Sequence, residues 1–315
     1  MTKAQVILSL ALTAVGAAYA QYPDKPLRII MPFAPGGPSD VAARTIATPL
    51  ANAFQQPVIV DNRPGANGAL AGQLALNAAP SGYTLLWGLG SMIGIPLMSR
   101  TAPFKSLHDF QPVTKIGNFT FGLFVHPSTG NTLSEFIKFA ASSTPIHYAQ
   151  ATASDYLLAT QFARSAKLTL TRIPYKGGGL AFPDLITNRI QMYITPAATA
   201  LPLARDGRIR LLALVAAVRN PALPDIPTFA ESGLDGISAP AWQSILLPLS
   251  TPPPIAATLL AALHRALQTP EVKVAYAKIL LDIEPTTPAG LRDLITADTA
   301  TWTRFVRENN VPTTD

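Results

Sequence analysis

The sequence has 315 residues, with 24 Lys and Arg against 18 Asp and Glu, for a formal net charge of +6. Its 48% of hydrophobic and 13% of charged residues exclude an intrinsically disordered chain, since such a composition can bury a core. The lack of cysteine excludes disulfide scaffolds, thiolate nucleophiles and cysteine-ligated metal centres, and His108, His126, His147 and His264 form no HxxxH or HExxH pair.

Lys3 is the only charge before Asp24, and 4–20 is an uncharged, mostly apolar run that ends in Ala18-Tyr19-Ala20. That pattern reads as a cleavable export signal over residues 1–20, with Gln21 as the first mature residue and the periplasm as destination; the other reading is an uncleaved anchor. The remaining length suggests two domains of roughly 150 residues each. The charge-free stretches 65–99 and 236–263 are interrupted by Gly, Pro and Asn, so neither reads as a membrane helix. Lys and Arg are spread without a run, so nucleic acid is not an expected partner.

In chain order, 27–31 reads as a strand and Pro35-Gly36-Gly37-Pro38 as a turn. Ala42, Ile46, Pro49, Leu50, Ala53 and Phe54 then share one face of a helix. A second strand over 57–60, a helix over 67–77 and a third strand over 83–87 complete a β-α-β-α-β series, which implies parallel pairing. After a less regular stretch, 121–125 reads as a strand, and Thr132-Leu133-Ser134-Glu135 as a capping box opening a helix to about 142. Strands follow at 146–149, 168–173 and 190–194. Ser154 and Asp155 are expected to cap a helix to 166, and Pro183 fits a first helical turn. The apolar run 211–218 suits a strand buried on both faces. Helices over 255–268, 271–281 and 288–309 close the chain.

Catalytic and cofactor motifs fail one by one. In Gly88-Leu89-Gly90-Ser91-Met92-Ile93-Gly94 the third glycine comes one position late for a dinucleotide loop, and Lys176-Gly177-Gly178-Gly179 lacks the order of a phosphate cradle. No nucleophile elbow occurs. Asp40, Asp155 and Asp184 each stand at an expected helix start, where capping accounts for them. No cofactor and no metal site are expected.

What remains is a device used twice. The loops 33–40 and 150–155 each follow a strand and open a helix, whose first-turn N–H groups and dipole favour an anion. Gly36 and Gly37 allow close approach to the backbone, and Ser39, Thr152 and Ser154 bring hydroxyls able to donate to a carboxylate. Neither loop contains Lys or Arg, so amides and hydroxyls are expected to hold the anion. Ordinary turns with capping residues are the other account of the same loops.

The stretch Tyr22-Pro23-Asp24-Lys25-Pro26-Leu27-Arg28-Ile29-Ile30, then Pro32-Phe33-Ala34-Pro35-Gly36-Gly37-Pro38-Ser39-Asp40, resembles the opening of Bug-type proteins, the extracytoplasmic receptors of tripartite tricarboxylate transporters. Val60-Asp61-Asn62-Arg63-Pro64-Gly65-Ala66-Asn67-Gly68, Pro80-Ser81-Gly82-Tyr83-Thr84-Leu85-Leu86, Ile173-Pro174-Tyr175-Lys176-Gly177-Gly178 and Pro227-Thr228-Phe229-Ala230-Glu231-Ser232-Gly233 extend the resemblance in order along the chain. It implies an α/β, two-domain periplasmic binding protein fold, type II-like, of the Venus flytrap kind. Domain 1 is placed at 22–122 plus 241–315 and domain 2 at 123–240, with the ligand cleft between them.

The resemblance also implies that a small carboxylate is gripped between the two loops. The residues carried over are Phe33, Ala34, Gly36, Gly37, Ser39 and Asp40 on one side and Thr152, Ala153 and Ser154 on the other. Asn67, Ser91 and Thr195 are added as loop residues expected to face the cleft, and Trp242 is read as packing near the crossing. The expected function is a monomeric receptor that closes on a mono- or dicarboxylate, an amino acid or aromatic acid being included, and hands it to membrane permease subunits or a sensor kinase. The rival readings are an exported hydrolase or lyase with His147 or Asp155 as base, and an orphan receptor for a two-component sensor.

Overall fold

The computed structural model describes residues 22–143, 145–311 and 313; the expected signal peptide and Gln21 lie outside them. The β-α-β-α-β series opens the chain. Strands β1 (Leu27–Met31), β2 (Val58–Asn62) and β3 (Thr84–Leu89) pair in parallel, β1 lying between the other two. Helices α1 (Pro38–Phe54) and α2 (Ala69–Leu76) make the connections. The buried face of α1 is Ala42, Ala43, Ile46, Ala47 and Leu50, rotated from the expected one, so that Ala53 is exposed. Helix α2 starts later than expected because Ala66 and Asn67 take positive φ in a 3₁₀ turn.

Two long strands escape the sequence patterns. β4 (Phe110–Phe119) and β10 (Trp242–Pro248) pair antiparallel at the centre of the first sheet, whose order is β11-β4-β10-β3-β1-β2 with β11 (Leu281–Ile283) on the edge. Both are covered on both faces, so neither alternates. β4 even buries Lys115, whose Nζ donates to Glu284 at 2.8 Å, and Thr114, 3.0 Å from His264. The register of β4 and β10 shifts between Gln243 and Ser244, an irregularity of the kind that re-aims side chains.

The second sheet has the order β7-β6-β8-β5-β9. Its strands are β5 (Phe121–Val125), β6 (Ile146–Gln150), β7 (Leu170–Pro174), β8 (Met192–Pro196) and β9 (Arg210–Val215). β9 is an edge strand and ends at Val215, a correction to the doubly buried strand expected over 211–218; Val218 is exposed. Helices α3 (Leu133–Ser142), α4 (Ala153–Ala166), α5 (Phe182–Ile186) and α6 (Ala197–Arg205) belong to this part. Thr132 caps α3 by accepting from the Glu135 N–H, while the Glu135 carboxylate accepts from Asn131 N, one residue earlier than a capping box requires.

Thr120 alone separates β4 from β5 and so carries the chain from sheet to sheet. Its N–H donates to Leu280 O, its carbonyl accepts from Ala197 N, and its hydroxyl accepts from Asn220. The returning strand runs beside it, with Phe119 N donating to Ala241 O. Helices α7 (Pro253–Gln268), α8 (Pro270–Lys278) and α9 (Pro288–Glu308) then complete the first layer. Among the described residues no helix is long and apolar enough to cross a membrane.

At the crossing, β3 runs into Gly90, where an added Cβ would lie 2.5 Å from Pro240 Cβ and 2.7 Å from Pro240 O. Since part of that obstacle is backbone, Gly90→Ala is expected to displace the returning strand and to lower stability by about 1–3 kcal/mol, the usual cost of overpacking. Urea unfolding checks this; a variant as stable as the wild type would mean that the crossing yields freely.

Candidate functional site

Both Gly- or Ser-bearing loops end at one cavity of about 610 Å³ between the two sheets. Nine of the residues singled out from sequence line it: Phe33, Ala34, Gly36, Gly37, Ser39, Ser91, Thr152, Ser154 and Thr195. Three do not. Asp40 is buried beneath its loop, where its carboxylate accepts from Gly36 N at 2.9 Å, Arg44 Nε at 2.9 Å and Asn62 Nδ2 at 2.8 Å. Burial works against its charge, but those donors prevail and its pKa is lowered. Asn67 is exposed in the left-handed turn, and Ala153 is buried away from the lining.

The two helix ends differ. Gly37, the N-cap of α1, supplies no side chain, so the first-turn N–H groups of α1 have no side-chain cap, and Gly36 N is taken by Asp40. The α4 end is capped by Thr152, not by Ser154 or Asp155 as the sequence suggested. Thr152 Oγ1 accepts from Asp155 N, and the Asp155 carboxylate reaches back to Ala151 N and Thr152 N, both at 2.9 Å.

The hydroxyls are not equivalent either. Thr152 Oγ1 donates to Asp155 Oδ1 at 2.6 Å, and Ser39 Oγ donates to Gln243 Oε1 at 3.0 Å. Thr195 hydrogen-bonds Tyr193, which itself donates to Asp155 Oδ2 at 3.2 Å. Ser154 Oγ alone of the loop hydroxyls is buried without a partner. Of the three side chains expected to donate to an anion, therefore, two have already spent their proton inside the protein.

A third loop, unrecognised in sequence as part of the site, closes the cavity: Lys176, Gly177, Gly178, Gly179 and Leu180. Of the three loops it is the one that carries a lysine, exposed at the rim. Phe119, Phe121, Pro240 and Trp242 form an apolar wall from the crossing strands. Trp242 both packs, as expected, and lines the cavity; its Nε1 donates to Asp298 at 2.7 Å. An added Cβ at Gly37 or Gly179 meets nothing within 4 Å, and neither has the positive φ that favours glycine. Neither packing nor backbone geometry excludes a side chain at these two positions, and Gly37 also serves as the N-cap of α1.

Asp155 and Lys176 are the charged lining residues. His147, a candidate base from sequence, is not in the lining. Among the described residues no group of three His, Cys, Asp or Glu could hold a metal ion.

Residues 42–311 match the tripartite tricarboxylate transporter family receptor, TctC. The chain is 30% identical over 319 residues to Protein BugT of Bordetella pertussis, covering 98% of both chains. Its structure is similar to MatC from Rhodopseudomonas palustris with bound malate, at 29% identity and a TM-score of 0.82 over 90% of this chain and 100% of that one. The likeness to the periplasmic binding protein BugD, at 23% identity and a TM-score of 0.85 over 93% and 100%, assigns the fold: two α/β layers of the periplasmic binding protein type.

Burial pushes the Asp155 pKa from 3.8 up to about 6, against the hydrogen bonds from Thr152, Ala151 and Tyr193. Since the folded value lies above the unfolded one, folding takes up a proton here. The stabilisation is full below about pH 4 and is lost as the pH rises through about 6. The unfolding free energy of the wild type should therefore fall, relative to Asp155→Asn, between pH 4 and 7. Parallel pH profiles would show that Asp155 titrates alike in both states.

Proposed function

The chain belongs to the tripartite tricarboxylate transporter receptor family, a family of solute-binding and not catalytic proteins, and we propose that it captures a small mono- or dicarboxylate in the cavity between its sheets. One observation carries the reading. The uncapped first turn of α1 and the unpartnered hydroxyl of Ser154 at the start of α4 line the same cavity. A carboxylate there satisfies amides of one layer and the hydroxyl of the other, and charge-assisted bonds of this kind are stronger than neutral ones. Lys176 offers a partner to a second carboxylate, and the malate held by a structural neighbour is a dicarboxylate of suitable size.

In this reading the boundary expected at 122/123 moves back to Thr120, since β5 (Phe121–Val125) belongs to the second sheet: domain 1 is 22–119 plus 241–315 and domain 2 is 121–240, moving together about the crossing strands as the ligand binds. The signal peptide is removed after Ala20 in this reading, and the monomeric receptor delivers its ligand to membrane permease subunits or a sensor kinase.

A thermal-shift screen of the protein against carboxylates, amino acids and uncharged sugars tests this directly. At 100 Kd a ligand adds about 2.7 kcal/mol to the folded state, so the right carboxylate should raise Tm visibly. Ser154→Ala should weaken that binding by about 1.5–3 kcal/mol, the range for a hydrogen bond to a charged group. Gly37→Ala should fold normally and bind worse. A response to sugars alone, or unaltered affinity in both variants, would overturn the assignment.

A further inference from the structure

Gln243 lies on the floor of the cavity at the register shift of β10, buried and 3.0 Å from Ser39. Its amide orientation is decided by Trp87, a residue buried in β3 whose Nε1 stands 2.8 Å from Gln243 Oε1. An indole N–H only donates, so the atom facing it has to be the amide oxygen. Gln243 Nε2 then donates to Trp242 O at 3.2 Å, which holds the same orientation from the other side. Oε1 carries no proton, so Ser39 has to supply the one between them. The single hydroxyl proton of Ser39 thus points at Gln243, and its lone pairs are what a ligand meets.

Ser39 is the second residue of α1, so its backbone N–H is also one of those without an intrahelical acceptor. It presents a donor and an acceptor separated by three bonds, N–Cα–Cβ–Oγ. A 2-hydroxy carboxylate presents the complementary pair at the same separation, a carboxylate oxygen and a hydroxyl joined by O–C–C–O. A ligand without the hydroxyl would either leave the Ser39 lone pairs unused or turn the serine proton away from Gln243. Both lose a buried hydrogen bond.

We infer that the cavity prefers 2-hydroxy carboxylates, with Ser39 Oγ accepting the ligand hydroxyl and Trp87 and Gln243 acting as positioning residues that set its polarity. The inference rests on the carboxylate reading above and adds the class of carboxylate.

Calorimetric affinities for matched pairs, malate against succinate and glycolate against acetate, test it. The wild type should bind the hydroxylated member of a pair about fivefold or more tightly. Ser39→Ala should bring the ratio close to one. Trp87→Phe keeps the ring but releases the amide to rotate, so it should also shrink the ratio, whatever it does to stability. A merely structural tryptophan would alter both affinities alike and leave the ratio as it was. Equal wild-type affinities within the pairs, or an undiminished ratio in Ser39→Ala, would overturn the inference while leaving carboxylate binding intact. Failure of every carboxylate to bind would remove the broader reading and this one with it. The wild-type and Ser39→Ala comparisons decide the matter even if Trp87→Phe does not fold.

Discussion

A helix that begins without a side-chain cap leaves backbone N–H groups wanting an acceptor, and the architecture around the cavity follows from how that need is met at two helices. At α4 the protein meets much of it internally, through Thr152 and Asp155. At α1 it does not: Gly37 has nothing to offer, and the nearest carboxylate, Asp40, is turned back on Gly36 and fastened by Arg44 and Asn62. Asp40 therefore shapes the loop and keeps its own charge away from the place where an anion would sit. The same residue type at the same position of the two loops turns back on the N–H four residues earlier in both, but Asp155 lines the cavity and Asp40 does not.

This distinction explains which parts of the site could be read from the sequence. The pattern of strand, Gly- or Ser-bearing loop and helix start is local, and it located both helix ends. Which hydroxyl still has a proton to give is a long-range property. Ser39 is committed by Gln243, 204 residues away along the chain, and Gln243 by Trp87 at a separation of 156. No spacing rule contains those partners. Lys176 was likewise visible as part of a glycine-rich run, but its place in the cavity depends on where β7 lies in the second sheet.

The fold divides along the same line. Strands with one exposed face or a plain apolar run were legible, as were the three C-terminal helices, except that the first two start earlier, at Pro253 and Pro270, and the helix expected to reach 281 stops at Lys278, before β11. β4 and β10 were not, because a strand covered on both faces has no alternation to detect, and β4 hides Lys115 and Thr114 behind partners from the far end of the chain. Their absence from the sequence reading removed the centre of the first sheet but left the first three strands in their right relation, since parallel pairing follows from the crossover helices alone.

These two strands also bear on how the layers can move. Phe119 and Thr120 leave the first sheet beside Ala241 returning to it, so the layers share a two-stranded connection held by backbone hydrogen bonds. On one side of it the layers are packed: Tyr156 of α4 meets Phe305 of α9 edge-on at 5.7 Å between ring centres, and Arg164 pairs with Glu308 one to two turns further along. The buried core accordingly runs from one sheet into the other without a break. A shear through that core would expose apolar surface, whereas the Lys176 loop has glycines at 177 and 179 with no neighbour in the way of a side chain. The least costly adjustment is thus movement of this loop, which leaves the starts of α1 and α4 in place on their two layers.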